Sequence, residues 1–189
     1  LPNSKDNGNY IIITIDSYDQ DDLDNRVATA DEICEKNGSV ETLVADDRIW
    51  GARYNIGEAA RNDSQIWLAE DIVVPVDKIA DLMAQIPAIE KKYGIATTTS
   101  AHIGDGNIHV LPLNKEGLSP EEWFNKIKAF HRDLFPRVYA LGGKMSGEHG
   151  IGFKKLDEFA KCTPAPELHV IKAIALDAGY ERNILLRPP

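Results

Sequence analysis

Residues 10–16 (YIIITID) form an unbroken apolar run of strand length, the pattern of a central strand buried on both faces. Acidic residues over 19–24 suit a helix start, where the backbone dipole favours negative charge. Leu23, Val27, Ala30, Ile33 and Cys34 then recur at helical spacing, and Gly38 after Lys36 reads as the C-cap. Residues 40–45 read as a return strand, completing a β-α-β unit. A second helix is expected over about 46–60, carrying Trp50 and Arg53, with a break at Asn62-Asp63-Ser64.

The pattern then repeats in kind. An extended segment over 66–76 holds a strand at 71–75. Asp77 as N-cap, with Ile79, Leu82, Met83, Ile86 and Ile89, marks an amphipathic helix ending at Gly94, which Pro87 should kink or split. Residues 95–101 are rich in threonine and predict a strand, followed after a turn by another at 110–113. Ser119-Pro120-Glu121-Glu122 supplies an N-cap, a proline at the first helical position and acids in the first turn. Trp123, Ile127, Phe130, Leu134, Val138 and Leu141 hold one face of that helix, which Pro136 should bend and Gly142-Gly143 should end. A short helix over 153–161 and a last one opened by Pro166 follow, the latter with Leu168, Ile171, Ile174 and Ala175 inward and Gly179 as its cap. Two β-α-β units with a hairpin predict an α+β fold, a ferredoxin-like, enlarged antiparallel sheet covered by helices, in one domain over residues 1–189.

Composition narrows the partners. The net charge of −9, with no basic cluster, argues against nucleic acid or an anionic membrane. An anionic substrate would need a local positive site, from a metal or an arginine. Cys34 and Cys162 fit no metal or redox spacing and read as packing residues in a reducing, cytoplasmic compartment. No apolar run is long enough to span a membrane and no signal peptide is visible. The chain starts Leu1-Pro2-Asn3-Ser4 and reads as a piece of something longer.

Two segments carry the candidate chemistry. The first is His102-Ile103-Gly104-Asp105-Gly106-Asn107-Ile108-His109, where two histidines at facing strand ends can aim their rings at one spot. The second is Ser146-Gly147-Glu148-His149-Gly150-Ile151-Gly152, which sets a carboxylate and a third imidazole on a glycine-rich loop. His102, His109 and Glu148 are the ligand types of a zinc-like divalent metal site with open positions, and His149 is then a candidate base. The plainer alternative is histidines flanking an ordinary turn. The glycines match no dinucleotide fingerprint and are weak as a phosphate loop. Arg53 is either a solvated surface residue or a bidentate clamp on a carboxylate.

HIGDGNIH followed by SGEHGIGFKK resembles the C-terminal domain of FAD-linked oxidases of the vanillyl-alcohol-oxidase type. The branch it is most similar to holds glycolate oxidase, D-lactate dehydrogenase and D-2-hydroxyglutarate dehydrogenase. Trp50-x-x-Arg53 and Glu70-Asp71-Ile72-Val73-Val74-Pro75 also match, so the resemblance runs along nearly the whole chain. It implies a cap domain that binds a small 2-hydroxy acid, with FAD held mainly by a separate N-terminal domain absent from this chain. It implies His102, His109 and Glu148 as metal ligands, zinc above others. It implies His149 as the base that takes the hydroxyl proton, Arg53 as the grip on the substrate carboxylate, and Asn107 as a substrate-side residue that shapes the site. The expected partners are therefore the substrate, the chain's own FAD-binding domain and an unidentified electron acceptor, through whose complex any membrane association would come. An apolar face left open by the missing domain would let the chain self-associate into a homo-oligomer.

Departures from the pattern sharpen the expectation. Members acting on D-2-hydroxyglutarate carry a lysine where Ala69 stands and an asparagine where Leu111 stands, which favours lactate or glycolate over a dicarboxylate. The family's usual closing stretch is replaced by residues 183–189 (NILLRPP). Two other functions stay open on the residues alone: a ferredoxin-like binding module without turnover, and a metal hydrolase in which His149 activates a metal-bound water. If the flavin sits on another domain, this chain purified alone should lack stoichiometric FAD. An absorbance spectrum showing one flavin per chain would overturn that expectation.

Overall fold

The computed structural model of the chain describes residues 8–55, 58, 62, 64 and 68–177. They fall into two compact units, Leu1–Ile56 and Gly57–Pro189. The fold class is α+β, with helices and an antiparallel sheet.

In the first unit, helix α1 (Gln20–Lys36) starts as its acids predict, with the Asp19 carboxylate accepting from the Asp22 backbone N–H at 2.8 Å. A 3-10 turn (Asp47–Trp50) leads into the short α2 (Gly51–Tyr54), which carries Arg53. Most of the expected helix beyond residue 55 lies outside the described residues. The two expected strands of this unit do not form. Residues 11–16 and 40–45 have no strand structure, Ile11, Val40 and Val44 are exposed, and α1 buries none of its residues. The physical reason is that a strand exists only as part of a ladder. An apolar run supplies propensity, but its backbone N–H and C=O groups need a partner that the run itself does not specify. Without that ladder, α1 has no sheet to cover among the described residues of its unit.

The second unit holds the sheet, in the order β1-β3-β2 with both pairings antiparallel. Its strands are β1 (Glu70–Val73), β2 (Ala96–His102) and β3 (Asn107–Leu113). β1 and β2 run parallel to each other with β3 inserted between them, the split β-α-β arrangement of ferredoxin-like folds. The helical connection from β1 to β2 is divided as Pro87 predicts: α3 (Ile79–Met83) ends, and α4 (Ile86–Tyr93) restarts with the proline in its first turn, where the missing N–H costs no hydrogen bond. Asp77 is not the N-cap expected of it; it sits inside a 3-10 turn (Val76–Lys78) capped at Pro75.

Helix α5 (Pro120–Ala140) lies against this layer. It begins with a capping box in which Ser119 and Glu122 satisfy each other's backbone N–H groups, at 3.4 Å and 3.0 Å. Trp123, Ile127, Phe130, Leu134 and Val138 are buried as their spacing predicts, and they pack with Ile72, Leu82, Ile86, Ile89, Ile108 and Val110 into one core. Each fully buried side chain of this size contributes roughly 1.5–3 kcal/mol. The chain then forms α6 (Leu156–Cys162) and α7 (Ala165–Asp177). On α7 the expected inward set is only partly inward, since Ile174 is 65% exposed. Gly179 and the closing stretch 183–189 lie outside the described residues.

The capping box gives a direct test of this layer. Ser119→Ala should lower stability by about 1 kcal/mol. Urea unfolding should show a lower midpoint at an unchanged slope, and an unchanged midpoint would show that α5 does not depend on its cap.

Candidate metal centre

The antiparallel registers decide what meets on the open face of the sheet. Asp71 pairs with His109, which pairs on its other side with Ser100; Val73 pairs with Asn107, which pairs with His102. Paired residues share a face, so Asp71, Asn107, His109 and His102 stand together. The two histidines are diagonal neighbours across the hairpin, with ring centroids 5.6 Å apart. The Asp105 carboxylate accepts from the Asn107 backbone N–H at 3.1 Å and holds the turn. A side chain at Gly106, which has φ +80°, would run into the Val74 carbonyl, so this turn requires glycine.

The loop after α5 is brought to the same face by two anchors. Val73 and Lys144 exchange backbone hydrogen bonds of 3.0 and 2.8 Å, extending the β1 edge by one rung. The Lys155 ammonium, wholly buried, donates to the Met145 carbonyl at 2.8 Å and to the Asp71 carbonyl at 3.2 Å. Between these anchors the chain curls over the Asp71 carboxylate. Its Oδ2 accepts from Ser146 Oγ at 2.8 Å and from the successive backbone N–H groups of Gly147, Glu148 and His149 at 2.9, 2.9 and 2.7 Å. Its Oδ1 accepts from Asn107 Nδ2 at 2.6 Å. Successive N–H groups turned to one point form an anion nest, and here the nest is filled by the chain's own carboxylate and closed to a ligand phosphate. Gly147 is required by proximity, since a Cβ there would collide with the Asn107 amide.

The curled loop delivers Glu148 and His149 to the histidines. Glu148 Oε1 lies 3.1 Å from His109 Nε2 and 3.6 Å from His149 Nε2, and the His109 and His149 rings are 4.9 Å apart. One ligand atom from each of His102, His109 and Glu148 falls within 4.8 Å of the others. His109 Nε2 is buried and makes no hydrogen bond among the described residues, although a carboxylate oxygen stands beside it. Two imidazoles and a carboxylate converging on one point, one of them with a buried nitrogen lacking a hydrogen-bond partner, suit a divalent cation of the zinc class. His102, Glu148 and His149 are exposed, so the cluster is open to a substrate.

Of the other sequence candidates, Asn107 is buried and commits its amide N–H to Asp71, which makes it a support of the loop. Arg53 is an exposed residue of α2 in the first unit. Leu111 is buried, and the Ala69 carbonyl accepts from Lys154 Nζ at 3.0 Å. Sequence reasoning passed over Asp71, quoted only within a matching run, and it also passed over Ser146 and Lys155. The available signal was a pair of acids, Glu70 and Asp71, opening an otherwise apolar strand segment, since a carboxylate inside a sheet has to be met by donors.

The two acids face opposite ways. Burial works to raise the Asp71 carboxyl, but the N–H groups of the loop, the Asn107 amide and Ser146 outweigh it and hold the group well below the usual carboxylate range. Glu70, on the core side, is also buried, yet His131 at 2.9 Å, Lys155 at 3.5 Å and Lys154 at 3.7 Å keep its carboxyl below its ordinary value. Burial in turn lowers the Lys155 ammonium.

Residues 2–176 match the family model of the C-terminal domain of FAD linked oxidases. The chain belongs to that family. It is 26% identical over 186 residues to a D-lactate dehydrogenase of Anaerostipes hadrus, covering 96% of this chain and 38% of that protein. It is 27% identical to a glycolate oxidase subunit of Bacillus subtilis, covering 82% of this chain and 33% of that protein. A D-2-hydroxyglutarate dehydrogenase of Stutzerimonas stutzeri is 24% identical, with 95% of this chain and 39% of that protein covered. The chain thus spans well under half the length of these relatives. Among the described residues, no helix is long and apolar enough to cross a membrane.

The depressed Asp71 carboxyl has a consequence for acid stability. The unfolded chain takes up a proton near the ordinary value of about 3.9, while the folded carboxylate resists it. Its contribution is therefore complete above that pH and is lost as pH falls from there through the folded value. Urea midpoints measured from pH 6 downward should fall less steeply in Asp71→Asn than in the wild type. Parallel curves would mean that another group carries the acid sensitivity.

Proposed function

We propose that this chain is the substrate-binding, metal-containing part of an FAD-dependent dehydrogenase or oxidase of small 2-hydroxy acids, of the lactate or glycolate kind. The observation that carries the reading is the convergence of His102, His109 and Glu148 beside His149 on an open sheet face, in a chain of the FAD-linked oxidase family. In this reading residues 1–189 serve as the cap domain, and FAD, bound by a companion domain, supplies the acceptor for the two electrons and the hydrogen leaving C2. The bound metal would supply Lewis acidity that lowers the pKa of the substrate hydroxyl. No residue of this chain is assigned to FAD.

The chain's own residues have distinct tasks. His102, His109 and Glu148 hold the metal. His149, half exposed and adjacent to Glu148, accepts the hydroxyl proton, as a positioned imidazole can. Arg53 grips the substrate carboxylate with a bidentate, charge-assisted pair; this assignment rests on the Trp50-x-x-Arg53 match. Asn107 shapes the floor of the site through Asp71. Ala69 and Leu111 offer no side-chain donor for a second carboxylate, which favours monocarboxylates.

Steady-state kinetics of the full-length, flavin-loaded protein with D-lactate and glycolate test the roles. His149→Ala should lower kcat by about 10²–10⁴-fold with a smaller change in KM. Arg53→Ala should raise KM, at a cost of about 1.5–3 kcal/mol in kcat/KM, with kcat nearly intact. Wild-type kcat in the first variant would sink the base, and an unchanged KM in the second would sink the clamp. Metal analysis of His102→Ala and Glu148→Ala beside the wild type tests the ligand set, since equal metal in all three would remove it.

A further inference from the structure

We infer that Asp71 is the positioning residue of the metal centre: its carboxylate folds the 146–149 loop against the hairpin and so sets Glu148 beside His109. This rests on the reading of His102, His109 and Glu148 as metal ligands.

The sequence separates the ligands into two groups that have no local reason to meet. His102 and His109 are fixed by the hairpin register alone. Glu148 sits on a loop whose side chains are largely exposed, so packing does not set its position. What does set it is the Asp71 carboxylate, which accepts four hydrogen bonds on Oδ2 from Ser146, Gly147, Glu148 and His149. Two of those donors are the backbone N–H groups of Glu148 and His149 themselves, so the backbone of the third ligand and of the neighbouring base is tied to one atom. The other oxygen of Asp71 takes the Asn107 amide and lies 3.7 Å from His109 Nε2. Ser146 closes the curl by accepting from the Gly150 N–H at 2.8 Å. Asp71 thus touches the hairpin with one oxygen and the loop with the other. Its negative charge also adds to the attraction of the site for a cation.

Asp71→Asn keeps the shape and one acceptor oxygen, but it replaces the other with an amide N–H. Either the loop donors or the Asn107 amide then faces a donor. Supporting residues around metal ligands typically cost about 10–100-fold in affinity when changed. Glu70→Gln is the matched control. It lies one position away on β1 and is equally buried, but it faces His131 and the two lysines.

The test uses the present chain with Zn²⁺ affinity by competition against a chelator and the visible spectrum of bound Co²⁺. The expected result is a dissociation constant about 10–100-fold weaker in Asp71→Asn, with an altered Co²⁺ spectrum. Glu70→Gln should keep the wild-type affinity and spectrum even where it unfolds at lower urea. Ser146→Ala, which removes one donor and leaves the carboxylate, should show a smaller loss in the same direction. Wild-type affinity in Asp71→Asn overturns the inference while leaving the metal ligands standing. Equal losses in Asp71→Asn and Glu70→Gln would reduce Asp71 to a general stability role and also overturn it. If Asp71→Asn does not fold, unchanged affinity in Ser146→Ala overturns it instead. A wild-type chain that binds neither ion removes the metal reading, and this inference with it.

Discussion

A single carboxylate joins the two sequence-distant halves of the site. Asp71 sits on the central face of β1, wholly shielded from solvent, and is met by five donors from two separate segments. A buried charge costs several kcal/mol unless it is paired or hydrogen-bonded, so the loop and the hairpin are obliged to stay in place around it. The constraint works in both directions. The carboxylate organises the loop, and the loop keeps the carboxylate ionised.

Its neighbour Glu70 is met on the core side by side-chain nitrogens instead of backbone N–H groups. His131 reaches it from α5, and Lys154 and Lys155 reach it from the segment after the loop. Lys155 also donates to the Asp71 and Met145 carbonyls, so one ammonium ties β1 to the start of the loop. Replacing such a cluster with apolar residues could be neutral in stability. What the cluster contributes is a tie between β1, α5 and the Lys154–Lys155 pair on the core side of the sheet.

The site lies open on the sheet face, with His102, Glu148 and His149 exposed. The described residues bring His102, His109 and Glu148 together beside His149, in a chain of the FAD-linked oxidase family. The acidic overall charge makes the local chemistry more pointed. The general field of the chain repels an anion, so in the proposed function the attraction for an anionic substrate has to come from local groups.

Much of this was legible along the chain. The helix faces of α3, α4 and α5, the break at Pro87, the capping box at Ser119 and the hairpin carrying His102 and His109 follow from periodicity, proline chemistry and turn residues, all of them local. The candidate residues were equally readable, because His and Glu in glycine-rich turns stand out by residue type without a fold. What the sequence by itself could not determine was pairing. The apolar runs at 10–16 and 40–45 have strand propensity, yet they carry no strand, because a ladder depends on a second segment that propensity does not name. For the same reason Asp71 looked like one more residue of an extended run. Only the tertiary structure, by closing the loop on β1 through Val73, Lys144 and Lys155, brought three distant backbone N–H groups onto its carboxylate and made it the centre of the site.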